Sequence, residues 1–416
     1  MSDLQPSVLA GDWAMIEAQL PPQWRELAVE HGLLPPNLPA HLGAKITDIS
    51  VPLRMVLFHV GTNTSLKTTT AMAYAAGLVD MSSVGLHKWM RKLGPYLAAL
   101  LAAKTDVHAT FKAEEWAGYD IIIVDATNVS RPGSEGTTAR VHFALRLTTL
   151  RPVQIDVTDD KGGETFRRFA AKPNQLWIGD RGYPNPPGVA AVTACGADVL
   201  VRFNRGSLPL YDINGQRIDV QSNLNRIGKP GQVKAWAAWV HPQGATPIRG
   251  RLIAVRLPAD KAAEARQRLR REQGNAVTAE SLAMAEFVVV YTTVPKDRIS
   301  NERILELYGL RWQVELHIKR DKSIAGLDQL PNYREDTIHS WICAKMLLTQ
   351  IARAIATSDV SIPPCADRHT FNTSGPSAVP PKKAANARSR DSRRTLARHD
   401  ATVEGDVRRS SAAGTP

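Results

Sequence analysis

The sequence predicts a mixed α/β fold that follows a mainly helical amino-terminal region. Short apolar, β-branched runs bounded by turn residues indicate buried strands, and they lie at 119–124, 139–147, 152–157, 175–178 and 198–203. A helical run at 189–195 stands between the last two, and such alternation is typical of a mixed α/β sheet. Residues 163–171 are a further helix candidate.

Two helical runs in the amino-terminal region are separated by a glycine. They span 65–76 and 82–93, with Gly77 between them, and the second ends in basic residues. A short helix, a glycine turn and a basic helix are typical of the helix-turn-helix that binds DNA, although ordinary helical hairpins show the same pattern. We therefore predict that residues 1–115 form a helical DNA-binding domain.

The alternation of strands and helices breaks between residues 206 and 285. This stretch has scattered Gly and Pro, two strand-like runs at 232–240 and 249–256, and a charged helix at 261–272. A strand at 287–291 and a helix at 337–356 follow it. The pattern predicts a core in two parts, 116–205 and 286–356, which are separated by a β-rich insertion at 206–285. From residue 357 the composition loses apolar periodicity, which predicts a disordered basic tail at 357–416.

The charge of the chain favours a polyanionic partner. Lys and Arg number 52 against 40 Asp and Glu, which gives a formal net charge of +12 and a pI near 9.7. Nucleic acid is the first expectation and a membrane surface the second. The three cysteines, Cys195, Cys343 and Cys365, are too widely spaced for a disulfide framework or a zinc cluster. No run of 18 apolar residues occurs, so a cytoplasmic protein without a membrane partner is expected.

A polar stripe is predicted on one helix near residue 310. Ser300 is a suitable N-cap, and no Pro occurs between Pro295 and Pro331. If the helix is continuous, four side chains fall within an arc of about 60° along about 21 Å of its axis: Tyr308, Arg311, Glu315 and Lys322. A solvated charged face would have the same pattern.

Two aspartates directly follow predicted strands. Asp125 comes after the strand at 119–124, and Asp180 comes shortly after the strand at 175–178. Open α/β sheets bind ligands at strand ends, although Asp is also common there because it begins turns. Together with Glu315 these carboxylates would suit two Mg²⁺ ions, for which Mn²⁺ can substitute, in phosphoryl chemistry.

Three segments together resemble the DDE transposases of the insertion-sequence-four group, known for a YREK signature. They are Asp125-Ala-Thr-Asn-Val-Ser-Arg-Pro-Gly-Ser, Gly179-Asp-Arg-Gly-Tyr183, and the Tyr308/Arg311/Glu315/Lys322 spacing. The resemblance implies a ribonuclease-H-like core with a β-rich insertion before the third acid. It implies that Asp125, Asp180 and Glu315 are catalytic metal ligands. It also implies that the other three members of the signature contact DNA: Tyr308, Arg311 and Lys322.

The implied function is transposition of an insertion sequence. Such a protein binds double-stranded DNA at terminal inverted repeats, cleaves it with a metal ion, and joins the freed end to target DNA. The protein is expected to act as a homodimer in its complex with DNA. The resemblance also implies carboxy-terminal helices where the basic tail stands, so one hypothesis is that this copy has been altered, for example by a frameshift. The alternative is that the basic tail belongs to the unaltered protein and adds nonspecific affinity for DNA.

The sequence allows alternative roles for three tryptophans and two rival functions for the protein. Trp236 or Trp239 is a candidate to stack on a flipped DNA base, as in relatives that form a hairpin intermediate, but core packing is the more usual role. Trp312 falls off the polar stripe and is expected to be structural. A nuclease that cuts without joining is the rival enzyme. An inactive or domesticated DNA-binding protein that keeps the transposase fold is the rival outside enzymes.

Overall fold

A helical region precedes the sheet, as the sequence predicts. The computed structural model describes residues 13–33, 46–105 and 116–358. Residues 13–17 are helical, and five further helices follow in this region: α1 (Trp24–Glu30), α2 (Ser50–Thr62), α3 (Leu66–Ala75), α4 (Ser83–Lys92) and α5 (Gly94–Thr105). The hydroxyls of Ser65 and Ser82 cap α3 and α4. Gly77 has a φ of 67°, which a residue without a side chain adopts readily after α3.

Eight strands form one mixed sheet. They are β1 (Asp120–Val129), β2 (Ala139–Arg146), β3 (Arg151–Thr158), β4 (Gln175–Gly179), β5 (Asp198–Arg202), β6 (Val233–Val240), β7 (Ile248–Arg256) and β8 (Phe287–Thr292). Their order across the sheet is β3-β2-β1-β4-β5-β8-β7-β6. β1, β4 and β5 are parallel neighbours, and the other pairs are antiparallel. The predicted α/β class is thereby confirmed.

The remaining helices lie between the strands of the sheet or after the last of them in the chain. They are α6 (Pro186–Ala194), α7 (Val220–Asn225), α8 (Ala259–Gln273), α9 (Ala279–Met284), α10 (Asn301–Gly309), α11 (Trp312–Ser323) and α12 (Glu335–Ser358). The helix predicted at 163–171 is wrong, because only the 3₁₀ turn Phe166–Arg168 forms there. β6 and β7, which lie in the predicted insertion, extend the main sheet beyond β8. The predicted tail lies outside the described residues apart from 357 and 358, which end α12.

The sheet separates two apolar layers. Ile121 and Ile123 of β1 pack with residues of α5, α10, α11 and α12, whereas Ile122 and Val124 pack with residues of α6 and α7. We call the first side the helical face and the second the opposite face. Because strand side chains alternate with a period of two, every odd-numbered β1 residue points to the helical face.

The helix predicted across residues 300–322 is two helices. α10 ends at Gly309, α11 begins at Trp312, and Leu310 and Arg311 form the turn between them. The N–H groups of Leu310, Arg311, Gln313 and Val314 bond the carbonyls three residues before them. This is the tighter 3₁₀ pattern, which rotates the chain more per residue than an α-helix does. The predicted stripe is therefore shared between two helices.

Candidate active site

Asp125 and Asp180 lie level with each other on neighbouring parallel strands. The β1–β4 register pairs Ile123 with Ile178, so two residues further on Asp125 stands opposite Asp180. Ile123 and Ile178 both pack on the helical face, and the period of two directs both carboxylates to that same face. Asp180 lies one residue beyond β4, near enough for its negative charge to raise the pKa of Asp125.

Asp125 lies within β1 and not at its end, which corrects the sequence interpretation. β1 runs on to Val129, because residues 126–129 pair with β2, where Ala126 stands opposite His142. The parallel pairing with β4 nevertheless stops at Ile123. Asp125 is therefore bonded through its backbone to one neighbouring strand, and its other side borders the loop that follows β4.

The third predicted acid approaches from α11 through an arginine. Arg311 donates a hydrogen bond to Glu315, and its Nη1 lies 3.7 Å from Oδ2 of Asp125. Val314 and Ile318 of the same helix pack into the helical-face core. One guanidinium thus stands between a carboxylate of the sheet and a carboxylate of the helix. Glu315 keeps 43% of its side chain exposed, against 16% for Asp125.

Burial and like charge act together on Asp125. Burial raises the pKa of this carboxyl from 3.8 to about 7, and the negative charges of Asp180 and Glu315 also raise it. The Ala126 N–H, 2.8 Å from Oδ1, and the Arg311 guanidinium oppose the rise. Carboxylates that raise each other's pKa are typical of sites that gain from a bound cation.

The remaining stripe residues divide between the interior and the rim. Lys322 donates from Nζ to the backbone oxygen of Asn128, 3.1 Å away, just beyond Asp125 on β1. Tyr308 is partly buried in the helical-face core, and burial raises the pKa of its hydroxyl. The Arg311 charge acts on that hydroxyl in the other direction. Tyr308 therefore stands behind Arg311, whereas Lys322 stands at the rim of the site.

Arg202 is a candidate site residue that sequence reasoning missed. The β4–β5 register pairs Gly179 with Val201, so Arg202 stands level with Asp180. Its Nη2 donates to the Phe287 carbonyl at 3.0 Å, and burial lowers the pKa of its guanidinium to about 10. In the sequence Arg202 merely ends an apolar strand, and only the register of three strands reveals its place.

Glu164 is a second candidate that the sequence did not reveal. A Cβ built on Gly182 would lie 1.7 Å from Oε2 of Glu164 and 3.3 Å from Oδ1 of Asp180. The two carboxylate oxygens are thus no further apart than the sum of those distances. Burial raises the pKa of Glu164, and the charge of Asp180 raises it further. Asp156, an acid on β3, pairs with Arg168 at 3.1 Å.

Two of the tryptophans, Trp236 and Trp239, lie apart from the carboxylates. Trp236 and Trp239 are on β6, five strands from β1 in the sheet order, which corresponds to roughly 24 Å. Trp236 packs against the opposite-face core. Trp239 is three residues further along β6, so it points to the helical face. Trp312, which is expected to be structural, lies next to Arg311 in the chain and is 38% exposed.

The donor set of the site suits a hard divalent cation. Asp125, Asp180 and Glu315 present only carboxylate oxygens, which Mg²⁺ and Mn²⁺ prefer over nitrogen or sulfur ligands. Burial first, and then the charges of Asp180 and Glu315, raise the pKa of Asp125, and a bound cation would favour the ionised form. Within the described ranges, however, no three His, Cys, Asp or Glu side chains are close enough to hold a metal ion together. Arg311 occupies the gap between Asp125 and Glu315.

Fold and site together define an enzyme class. A mixed α/β core that carries two aspartates on adjacent parallel strands, faced by a helix with a glutamate, is consistent with the ribonuclease-H-like core of DDE transposases. The transposase DDE domain family matches residues 116–351, and the chain belongs to that family. The match spans β1 to most of α12, so it covers all three predicted acids. Members of this family generally use divalent metal ions.

Curated relatives are transposases of insertion sequences. The putative transposase InsL for insertion sequence element IS186A of Escherichia coli strain K12 is 31% identical over 327 residues, which is 77% of this chain and 88% of the relative. The transposase for insertion sequence element IS421 of Escherichia coli is 31% identical over 328 residues, with the same coverage. In the described part of the chain, no helix is both long enough and apolar enough to cross a membrane.

We predict that Gly179→Ala disturbs the loop that carries Asp180. An added Cβ would lie 2.7 Å from Cβ of the buried Tyr183 and 3.1 Å from Cζ of Phe166. Overpacking of this kind costs about 1–3 kcal/mol. We expect a lower free energy of unfolding in urea and slower DNA cleavage. Gly136→Ala is the control, because a Cβ there meets no atom within 4 Å; equal effects of both changes would contradict the prediction.

We also predict that metal-free protein loses stability as pH rises toward neutrality. The folded pKa of Asp125, about 7, exceeds its ordinary value of 3.8. The contribution of the Asp125 carboxyl to the free energy of unfolding is therefore complete below pH 3.8, and it disappears as the pH rises through about 7. The melting temperature in a chelator should fall over this window, and it should fall less in Asp125→Asn. A wild-type profile parallel to that of the variant would show that Asp125 is not the cause.

Proposed function

We propose that the protein binds the terminal inverted repeats of an insertion sequence and catalyses metal-dependent DNA cleavage and strand transfer. The observation that carries this proposal is the convergence of Asp125, Asp180 and the Arg311–Glu315 pair on one face of the sheet. Membership of the transposase DDE domain family supports it. The YREK assignment to the insertion-sequence-four group belongs to the same proposal.

Asp125, Asp180 and Glu315 would hold Mg²⁺, with Mn²⁺ as a substitute. A bound divalent ion activates a water or hydroxyl nucleophile and stabilises the leaving oxygen of a phosphodiester. The chain's own part is to hold two carboxylates on rigid neighbouring strands and to bring the third on a helix. For Glu315 to join the aspartates, the Arg311 guanidinium must leave the gap between them. A DNA phosphate is the natural anion to draw it away, because arginine binds phosphate in a bidentate manner.

The basic residues would bind DNA at the rim of the site. Lys322, at the exposed end of α11, supplies a point charge for a phosphate. Arg311 supplies the planar guanidinium, and Tyr308 supports it from behind. Trp312, exposed beside Arg311, is placed to stack on a base or sugar. Trp236 and Trp239 remain a second proposal for a flipped base, which requires DNA to reach β6.

The amino-terminal helices would read the terminal repeats. α3 and α4 follow the predicted helix-turn-helix order, and Val84 and Lys88 of α4 are exposed. Arg91 of the same helix is held by Asp336 at 2.6 Å. Lys88 is therefore the better candidate for a phosphate contact. The domain boundaries, the homodimer and target DNA as a second partner are proposed by family analogy.

Strand transfer separates this function from its rivals. Labelled terminal-repeat DNA, a target plasmid and Mg²⁺ should yield both cleaved and joined products with the wild-type protein. Cleavage without joining would identify the rival nuclease. Binding without cleavage would identify a DNA-binding protein that keeps the fold. Cutting in a chelator, or cutting by Asp125→Ala, would overturn the metal-dependent mechanism.

We predict that Glu315→Gln abolishes cleavage and leaves most DNA binding intact. The amide keeps the shape of the side chain but removes the charge that a cation needs, whereas affinity comes mainly from contacts between cations and phosphates. Glu306→Gln on α10 is a matched control, because Glu306 is exposed and pairs with Arg303 on the same helix. Gel-shift and cleavage assays on the same DNA measure both effects. Cleavage at the wild-type rate by Glu315→Gln would exclude the proposed role.

A further inference from the structure

An ion pair connects α11 to the carboxy-terminal half of α12; its carboxylate is buried, and its arginine keeps 30% of its side chain exposed. Arg353 donates from Nη2 to Oδ1 of Asp321, whose side chain is fully buried. Its Nη1 also lies 3.0 Å from Nε2 of His317 on α11. In this contact Nε2 accepts from the guanidinium, and the same Nε2 lies 3.4 Å from Oδ2 of Asp321. The His317 ring packs edge-on against Phe143 of β2, with centroids 5.7 Å apart.

Asp321 is anomalous in its position on the helix. The buried side of α11 consists of Val314, His317, Ile318 and Asp321, which is the spacing of a core-facing stripe. An apolar side chain would be usual at the last of these positions. A buried carboxylate is tolerated only with a partner; Oδ1 of Asp321 has Arg353, whereas Oδ2 makes no hydrogen bond to any described residue. This arrangement therefore costs stability relative to an apolar side chain, so the ion pair serves a purpose other than stability.

What the pair provides is a unique orientation for α11. The turn at Leu310 and Arg311 interrupts the α-helical hydrogen bonding between α10 and α11, so α11 depends on side-chain contacts of its own to hold its rotation. Apolar stripes tolerate small rotations, because their contacts are not directional. A buried ion pair does not tolerate them, because any rotation leaves a buried charge without its partner.

We propose that Asp321 and Arg353 are positioning residues that lock α11 in the rotation that presents Glu315 and Lys322 to the aspartates on β1 and β4. The inference rests on the proposed roles of Glu315 and Lys322. Those two residues occupy the first and last turns of α11, and the lock lies next to Lys322 on the buried side. Neither Asp321 nor Arg353 touches the reacting atoms.

The test replaces the pair by apolar residues of similar size. Exchange of a buried ion pair for apolar side chains is often neutral or stabilising, so Asp321→Leu combined with Arg353→Met should unfold at no lower urea concentration than the wild type. Hydrogen exchange of residues 312–323 should nevertheless be faster in the double variant, with α12 unchanged. Cleavage at saturating DNA should fall roughly 100-fold, the cost of a displacement near 1 Å. Half-maximal cleavage should also require more Mg²⁺.

A second buried pair provides the matched control. Arg146 binds Asp120 through two hydrogen bonds of 2.8 and 3.1 Å at the far end of β1, about 17 Å from Asp125 along the strand. Asp120→Leu combined with Arg146→Met should leave hydrogen exchange in α11 and the Mg²⁺ requirement unchanged.

Wild-type cleavage and exchange by the Asp321/Arg353 double variant would overturn the inference, as would equal effects of the control pair. If the wild-type protein cleaves nothing, the proposed function fails. Faster exchange confined to α11 would then still support the lock, and unchanged exchange would refute it.

Discussion

The parallel pairing of β1 with β4 is the constraint on which the site depends. It places Asp125 and Asp180 level, on one face, although 55 positions separate them in the sequence. The ladder stops at Ile123 and Ile178, so the backbone beyond it is free to turn and the carboxylates face an open edge. Every other feature of the site is arranged around this edge.

Charge balance is the second organising principle. Burial and the charges of Asp180 and Glu315 disfavour ionisation of Asp125, and Arg311 lies between Asp125 and Glu315. This arginine compensates both acids in the protein alone. Because a phosphate competes for the same guanidinium group, arrival of DNA would exchange one set of ion pairs for another. The proposed role of Arg311 in DNA binding and the proposed role of the acids in metal binding are therefore coupled.

The predicted insertion contributes to the architecture as well as to the surface. β6 and β7 continue the sheet past β8, and α10 packs over this part of the helical face before the chain turns into α11. The helix that carries Glu315 is consequently supported at one end by the extended sheet and at the other by the Asp321–Arg353 pair. Residues far from the carboxylates in sequence thus share in their placement.

Local patterns were enough to predict the element types, the helical amino-terminal region and the candidate acids. Apolar runs and caps depend on neighbouring residues, so the strands from β4 to β8 begin and end within two residues of their predicted bounds. The helix expected at 163–171 and the single helix across 300–322 failed, because packing overrode a weak local preference in both places. Arg202, Glu164 and the Asp321–Arg353 pair were beyond reach of the sequence. Strand register and helix rotation result from long-range packing, and no local pattern encodes which distant side chains will meet.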